Sequence, residues 1–172
     1  MAKFWIILAS LLGATAVAVG AYHAHGLDKL IDKRFAAAVD EDGYLLADHR
    51  LYRERFDADE DKRMGPAEIE AYKEDLLHNC DVAVKYQMYH ALAILGIGII
   101  CLFNAGQGGG SITLSLAAAL MLLGIVGFSG GLYFVVFDLP KLHPLIIPVG
   151  GGLMILGWVM TAVAGCFGIV KP

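Results

Sequence analysis

Long uncharged segments and one charged segment alternate along the chain. Asp, Glu, Lys and Arg are absent from residues 4–21, from residues 86–137 and from residues 142–170. A helix needs about 20 apolar residues to cross the hydrocarbon core of a bilayer, and each uncharged segment is long enough for one or two such helices. The pattern therefore predicts an all-α fold, a polytopic membrane four-helix bundle.

The four predicted spans are separated by polar turns and by the charged segment. They cover residues 4–21, about 83–103, about 112–137 and about 145–168. Residues 104–110 and 138–143 contain Gly, Asn, Asp and Pro and are predicted to be turns. Four spans place both termini on one side of the membrane.

Residues 28–80 carry most of the charged side chains and predict a soluble, helical and partly irregular insert. The insert separates a first span within residues 1–27 from the three spans within residues 81–172. Leu27, Leu30, Ile31 and Phe35 recur at helical spacing, so we expect a short amphipathic helix lying on the membrane surface. A second helix is expected at residues 46–56 and a loop at 57–65. Pro66 suits the first turn of a third helix, which should continue into the second span.

The distribution of basic residues predicts the orientation. Most of the basic side chains near span ends lie on the insert side, and the positive-inside rule therefore predicts a cytoplasmic insert. These residues are Lys29, Lys33, Arg34, Lys73, Lys85 and Lys141, against Lys3 and Lys171 on the other side.

Small residues predict where the spans contact each other. Gly127 and Gly131 form a GxxxG pair in the third span, and Gly157, Thr161 and Gly165 form a ridge in the fourth. Helices in lipid associate through close backbone approach at such positions. We expect these ridges to hold one bundle together, in preference to an interface between molecules.

Composition narrows the class of protein. Hydrophobic residues make up 58% and charged residues 17% of the chain, which is typical of a membrane protein. A net charge of −4 is too small to favour a nucleic-acid partner. The first segment also resembles a signal peptide, but Ala and Gly recur in it at the four-residue spacing typical of packed membrane helices.

Polar side chains in the spans gather near the insert side. The predicted interfacial cluster consists of His25, Tyr86, His90, Ser129 and Tyr133. Ionisable groups within spans are functional candidates. The alternative is an aromatic belt at the interface with a neutral histidine bonded between helices, and a less favoured one is a metal or haem held by two histidines.

The insert contains a sequence similar to an EF-hand calcium loop. Asp57, Asp59, Asp61 and Glu68 occupy positions 1, 3, 5 and 12, with the carbonyl of Arg63 at position 7. These oxygens would ligate calcium, the only cofactor that the sequence suggests.

Two features depart from the EF-hand pattern. Lys62 stands at position 6, where glycine usually makes the turn, and Met64 stands at position 8. A degenerate partner loop would begin at Ala38 and end at His49, without two of its main ligands. The competing interpretation is a solvated acidic loop followed by a helix that starts at Pro66.

Four sequence blocks together resemble a known family. GAYHAHGL (20–27), YQMYHALAIL (86–95), GIVGFSGGLY (124–133) and PVGGGLMILGWV (148–159) are similar to the family called domain of unknown function 423, or transmembrane protein 256-like. The resemblance implies a small four-span protein of the bacterial inner membrane, with relatives in mitochondria, and no established activity or cofactor. The insert, residues 28–75, is expected to lie outside it.

The family pattern also marks individual positions without assigning roles to them. The positions that match in this chain are His25, Tyr86, His90, Ser129, Gly130, Tyr133, Pro148, Gly151 and Trp158.

Three functions remain open. The favoured one is a structural or accessory subunit whose partners are the bilayer and other membrane proteins or a second copy of the chain. The alternatives are a calcium-responsive membrane module and a small carrier or channel. An enzyme is not expected, because the chain lacks motifs such as H-E-x-x-H and G-x-S-x-G.

Overall fold

A computed structural model describes residues 1–45, 64–104, 111–140 and 142–166, and these residues are almost entirely helical. The helices in this part of the chain are α1 (Ala2–Tyr22), a π-helical segment (His23–Leu27), α2 (Asp28–Ala36), α3 (Pro66–Phe103), α4 (Ser111–Val136) and α5 (Ile146–Cys166). Four helical stretches among them are long and apolar enough to cross a membrane. The all-α, four-span prediction is confirmed.

Helix α3 confirms the prediction that the insert's last helix continues into the second span. It runs without a break from Pro66 to Phe103, 38 residues. The predicted helix at 46–56 lies outside the described residues, as do most of the turn at 104–110 and the loop as far as Arg63.

The chain divides into two compact units. One comprises Met1–Ala21 together with Asn79–Pro172, and the other comprises Tyr22–His78. The first unit is the membrane bundle, and its buried core draws on α1, α3, α4 and α5. Members of that core are Trp5, Ala9, Ile94, Ile97, Cys101, Leu114, Ala117, Ala118, Met121, Ile125, Met154 and Ala164.

Helices α4 and α5 touch through their backbones. A Cβ added at Gly127 would lie 3.1 Å from the Gly150 Cα, and one added at Gly131 would lie 2.6 Å from Ile147 Cγ1. A Cβ at Gly150 would collide with the Phe128 backbone nitrogen and lie 2.7 Å from the Gly127 carbonyl carbon. The predicted packing role of Gly127 and Gly131 is therefore confirmed.

The predicted ridge on the fourth span is only partly used. A Cβ at Gly157 would lie 3.0 Å from the Ala117 carbonyl oxygen, so this glycine does meet α4. Thr161 donates its hydroxyl to the Gly157 carbonyl of its own helix at 2.9 Å. Gly165 has open space around its Cβ position, and the prediction is not supported there.

Helix α4 ends in a left-handed residue. Asp138 has φ 54°, Leu139 N–H donates to the Phe134 carbonyl at 2.9 Å, and Asp138 N–H donates to the Val135 carbonyl at 3.3 Å. This pair of bonds is the Schellman motif. It begins the predicted turn before α5.

In the second unit, α2 is amphipathic as predicted but packs on protein. Ile31 and Phe35 are each 1% exposed, and the Phe35 ring meets the Tyr72 ring edge-on with 5.7 Å between centroids. Lys73 Nζ also donates to Asp32 Oδ1 at 2.8 Å. Leu27, Ile31 and Phe35 of the predicted apolar stripe are therefore buried in protein, whereas Leu30 is 36% exposed. The location of α2 on the membrane surface stays a prediction.

We expect Gly150→Ala to lower the free energy of unfolding by about 1–3 kcal/mol, because the new methyl group meets backbone atoms that cannot rotate away. Unfolding in mixed micelles of rising SDS content, followed by circular dichroism, measures the change. Gly152→Ala is the matched control, since its Cβ would meet nothing within 4 Å. Equal stability of the two variants would contradict the backbone contact.

Candidate functional site

Gln87 joins three helices of the membrane bundle. Its Nε2 donates to the Leu12 carbonyl and to Thr15 Oγ1 on α1, both at 2.8 Å. Its Oε1 accepts the Tyr133 hydroxyl of α4 at 2.9 Å. The side chain is 5% exposed, and both of its N–H groups are bonded. Gln87 thus satisfies the requirement that a buried amide find partners.

His90 lies one turn further along α3 and reaches α5. Trp158 Nε1 is 3.2 Å from His90 Nε2, and His90 Nδ1 is 2.8 Å from the Tyr86 carbonyl oxygen. An indole N–H can only donate, so Nε2 must be the acceptor. Nδ1 therefore carries the proton and donates it to the Tyr86 carbonyl. The hydrogen bonds assign the neutral tautomer protonated on Nδ1.

Aromatic rings surround this histidine. Tyr86 stacks on His90 with centroids 6.2 Å apart and an interplanar angle of 17°, and it also contacts Phe128 at 4.9 Å. Trp158 meets His90 edge-on at 6.2 Å. Tyr86 is 43% and Trp158 50% exposed, so the buried imidazole lies behind two rings that face outward.

Ser129 is fully buried on α4, one turn before Tyr133. Within the described part of the chain, its Oγ has no hydrogen-bond partner. A serine in a membrane helix commonly bonds the carbonyl four residues earlier, and this one does not. The predicted role of Ser129 as a hydrogen-bonding member of the cluster has no contact to support it.

His25 belongs to a different compact unit from the other predicted cluster residues. It is exposed and belongs to the π-helical segment of the second unit. In that unit it is His23 that makes a tertiary bond, donating from Nε2 to the Leu77 carbonyl at 3.1 Å. The structure thus links Tyr86, His90 and Tyr133, the last through Gln87.

Gln87, Thr15 and Trp158 were not among the predicted cluster residues. One signal could have identified Gln87: an amide within a membrane span is expensive unless it is bonded to another helix. No comparable signal marks Thr15, because a lone threonine often bonds its own helix, as this one does to the Leu12 carbonyl at 2.9 Å.

The hydrogen bonds of His90 also bear on the metal interpretation. Both ring nitrogens are engaged, so ligation by His90 would first have to break a bond. Among the residues that the structure describes, no group of three or more His, Cys, Asp or Glu side chains could hold a metal ion.

Of the predicted calcium ligands, Glu68 alone falls within the described residues. Asp57, Asp59, Asp61 and Arg63 lie outside them. Glu68 stands in the first turn of α3, where its Oε2 accepts the Gly65 N–H at 3.0 Å. This is half of a capping box, and bidentate calcium coordination would require the carboxylate to turn away from that bond.

The two predicted loops meet at equivalent positions. Leu45 is position 8 counted from Ala38, and Met64 is position 8 counted from Asp57. Leu45 N–H donates to the Met64 carbonyl at 3.0 Å, and both side chains are 1% exposed. Gly43, at position 6 of the first loop, has φ 82°, a conformation that glycine adopts without strain.

Known proteins resemble this chain in sequence. The family described as "Protein of unknown function (DUF423)" matches residues 59–151. A UPF0382 membrane protein from Staphylococcus aureus is 31% identical over 162 residues, 94% of each chain. One from Staphylococcus epidermidis is 32% identical over 163 residues, again 94% of each chain. No solved structure matches.

The family match begins inside the insert. Residues 59–75, which were expected to lie outside the resemblance, therefore fall within it. The two relatives match over 94% of this chain, so most of residues 28–75 has a counterpart in them and the expectation for the insert is wrong.

We expect Gln87→Leu to lower the free energy of unfolding by about 1–2 kcal/mol, because bonds to α1 and α4 are lost and their partners stay buried. Tyr133→Phe removes one of these bonds and should cost about 0.6 kcal/mol. Unfolding in SDS-containing micelles compares both with Tyr89→Phe, a control on an exposed ring of the same helix. Wild-type stability in Gln87→Leu would show that the bonds do not hold the helices.

Proposed function

The chain belongs to the DUF423 family of membrane proteins, and we propose that it is a structural or accessory subunit of an assembly in the bacterial plasma membrane. The main support is the bonding of Gln87: its buried amide forms hydrogen bonds only to protein groups of α1 and α4 in the described structure. His90 likewise accepts a hydrogen bond from Trp158 of α5. These groups hold helices together.

A carrier or channel is less well supported by the same contacts. Transport sites in membrane proteins are typically polar groups near the bilayer midplane that remain free to bind a substrate. Here the buried amide and imidazole nitrogens are occupied by protein partners. No specific observation favours transport.

The outer helices provide the surface for association in this proposal. In α1 and α5, 17% of the most apolar stretch is buried, against 39% in α3 and 44% in α4. Ser10, Ala14 and Ala18 follow one another at four-residue spacing on α1, and all three are exposed. A neighbouring helix could approach closely along such a face.

The proposal places the insert in the cytoplasm. The support is the excess of basic residues near the span ends on the insert side, and not any contact in the structure.

We expect Ala14→Leu to reduce the fraction of the protein recovered in complexes larger than the monomer. The larger side chain holds an approaching backbone away from α1. Native gel electrophoresis after extraction in mild detergent measures this fraction. Val17→Leu is the control, since Val17 is also exposed, at 61%, and is already bulky. A wild-type protein that is monomeric and without a stoichiometric partner would overturn the proposal.

A second candidate function is calcium response through the insert. The observation that favours it is the bond between Leu45 and Met64, because contact between equivalent positions is what approximate two-fold symmetry between two related loops would give. Helix α3 also begins at Pro66, position 10 of the second loop, so Glu68 falls in its first turn as position 12 requires.

Glu68→Gln separates calcium binding from helix capping. Glutamine can keep the bond to Gly65 N–H but loses the negative charge that a calcium ligand supplies. We expect calorimetry on the full-length protein in detergent to show heat of calcium binding for wild type and a loss of it in this variant. Glu70→Gln, on the exposed neighbouring carboxylate, should bind as wild type does. No heat above buffer for wild type would exclude the site.

A further inference from the structure

We propose that His90 and Trp158 form a proton-sensitive contact between α3 and α5, closed while His90 is neutral and open once it is protonated. This goes beyond the proposed function and does not depend on it. The contact is the 3.2 Å bond from Trp158 Nε1 to His90 Nε2. It exists only in the tautomer with the proton on Nδ1, which the 2.8 Å contact with the Tyr86 carbonyl holds in place.

Protonation removes the acceptor. An imidazolium carries a hydrogen on each nitrogen, so His90 Nε2–H would point at Trp158 Nε1–H. Two donors facing each other cannot bond, and at most one of them can find another partner. Protonation therefore destabilises the contact between α3 and α5, while the bond from Nδ1 to the Tyr86 carbonyl within α3 is kept in both charge states.

Among the described residues, the recorded partners of His90 carry no charge. The groups that face the ring are Tyr86 from α3 and Trp158 from α5, and Phe128 of α4 reaches it through Tyr86. Residues 86–137, 142–170 and 4–21 contain no Asp or Glu, so α1, α4 and α5 bring no carboxylate to it within their spans. With the ring 5% exposed, a charge there is poorly solvated while the contact stays closed. Opening relieves that penalty.

Opening need not unfold the bundle. Helix α5 is held separately on α4 through Gly127 and Gly150, and Trp158 is half exposed. Its indole can therefore turn outward while the α4–α5 backbone contact remains. His90 is also the sole histidine in the four predicted spans, and histidine is the side chain whose charge ordinarily changes between pH 5 and 8.

Fluorescence of a single-tryptophan protein tests the contact directly. The chain has two tryptophans, so Trp5→Phe leaves Trp158 as the reporter. In nanodiscs between pH 8 and 5, we expect its emission to change in one reversible single-proton transition. Adding His90→Gln should abolish the transition, since the amide oxygen can accept the indole N–H but does not titrate. Adding His78→Gln, at an exposed histidine of α3, should leave it unchanged.

Two fluorescence results would overturn the proposal. One is constant emission across this pH range in the Trp5→Phe protein. The other is a transition that survives His90→Gln, which would assign the titration to a different group.

A double-mutant cycle supplies an independent measurement. His90→Leu and Trp158→Phe each remove one side of the bond, and Trp158→Phe keeps an aromatic ring. We expect their effects on the unfolding midpoint to be non-additive at pH 8 and additive at pH 5. Coupling of the same size at both values would show a contact that does not respond to protons.

Discussion

The absence of water from the hydrocarbon core is the constraint on which the membrane unit depends. A polar group there has no solvent to return to, so each one must find a partner inside the protein. Backbone groups meet the requirement by forming helices. The side chains that meet it are few, and in this chain the main ones are Gln87 and His90. They bond to groups of α1, α4 and α5. Because each bond forms only when its two partners lie at the same height in the bundle, these two side chains restrict how the helices can be arranged.

Two kinds of contact then divide the work of holding the bundle together. Helices α4 and α5 approach so closely that positions 127 and 150 have no room for a side chain. Dispersion forces between the two backbones supply the attraction there. Hydrogen bonds join α3 to α1, α4 and α5, and α1 also approaches α3 closely at Gly98, where a Cβ would lie 3.2 Å from the Ile6 backbone nitrogen. The first kind depends on shape and does not respond to the surroundings. The second depends on donors and acceptors, and one acceptor among them, His90 Nε2, is removed when the ring gains a proton.

The four spans and some of the contacts between them could be predicted from the sequence. Charge-free segments of this length are typical of membrane helices. The GxxxG pair that begins at Gly127 correctly predicted a contact with a neighbouring helix. Gly165 was not supported, because spacing says that small residues share a face but not whether a neighbour covers it. For a related reason the apolar stripe of α2 did not indicate that Ile31 and Phe35 are buried in protein, since such a stripe fits lipid and protein equally well. The partners of Gln87 depend on the vertical register of α1 and α4, which no local pattern records.

An ion pair and apolar burial both stabilise the second unit. Lys73 bonds Asp32 at 2.8 Å on a partly exposed surface, where such a pair contributes at most about 1 kcal/mol, and Phe35 against Tyr72 supplies apolar burial. Glu68 caps α3 through Gly65, so the residue that would ligate calcium at position 12 already has a structural task. Those two tasks compete for the same carboxylate.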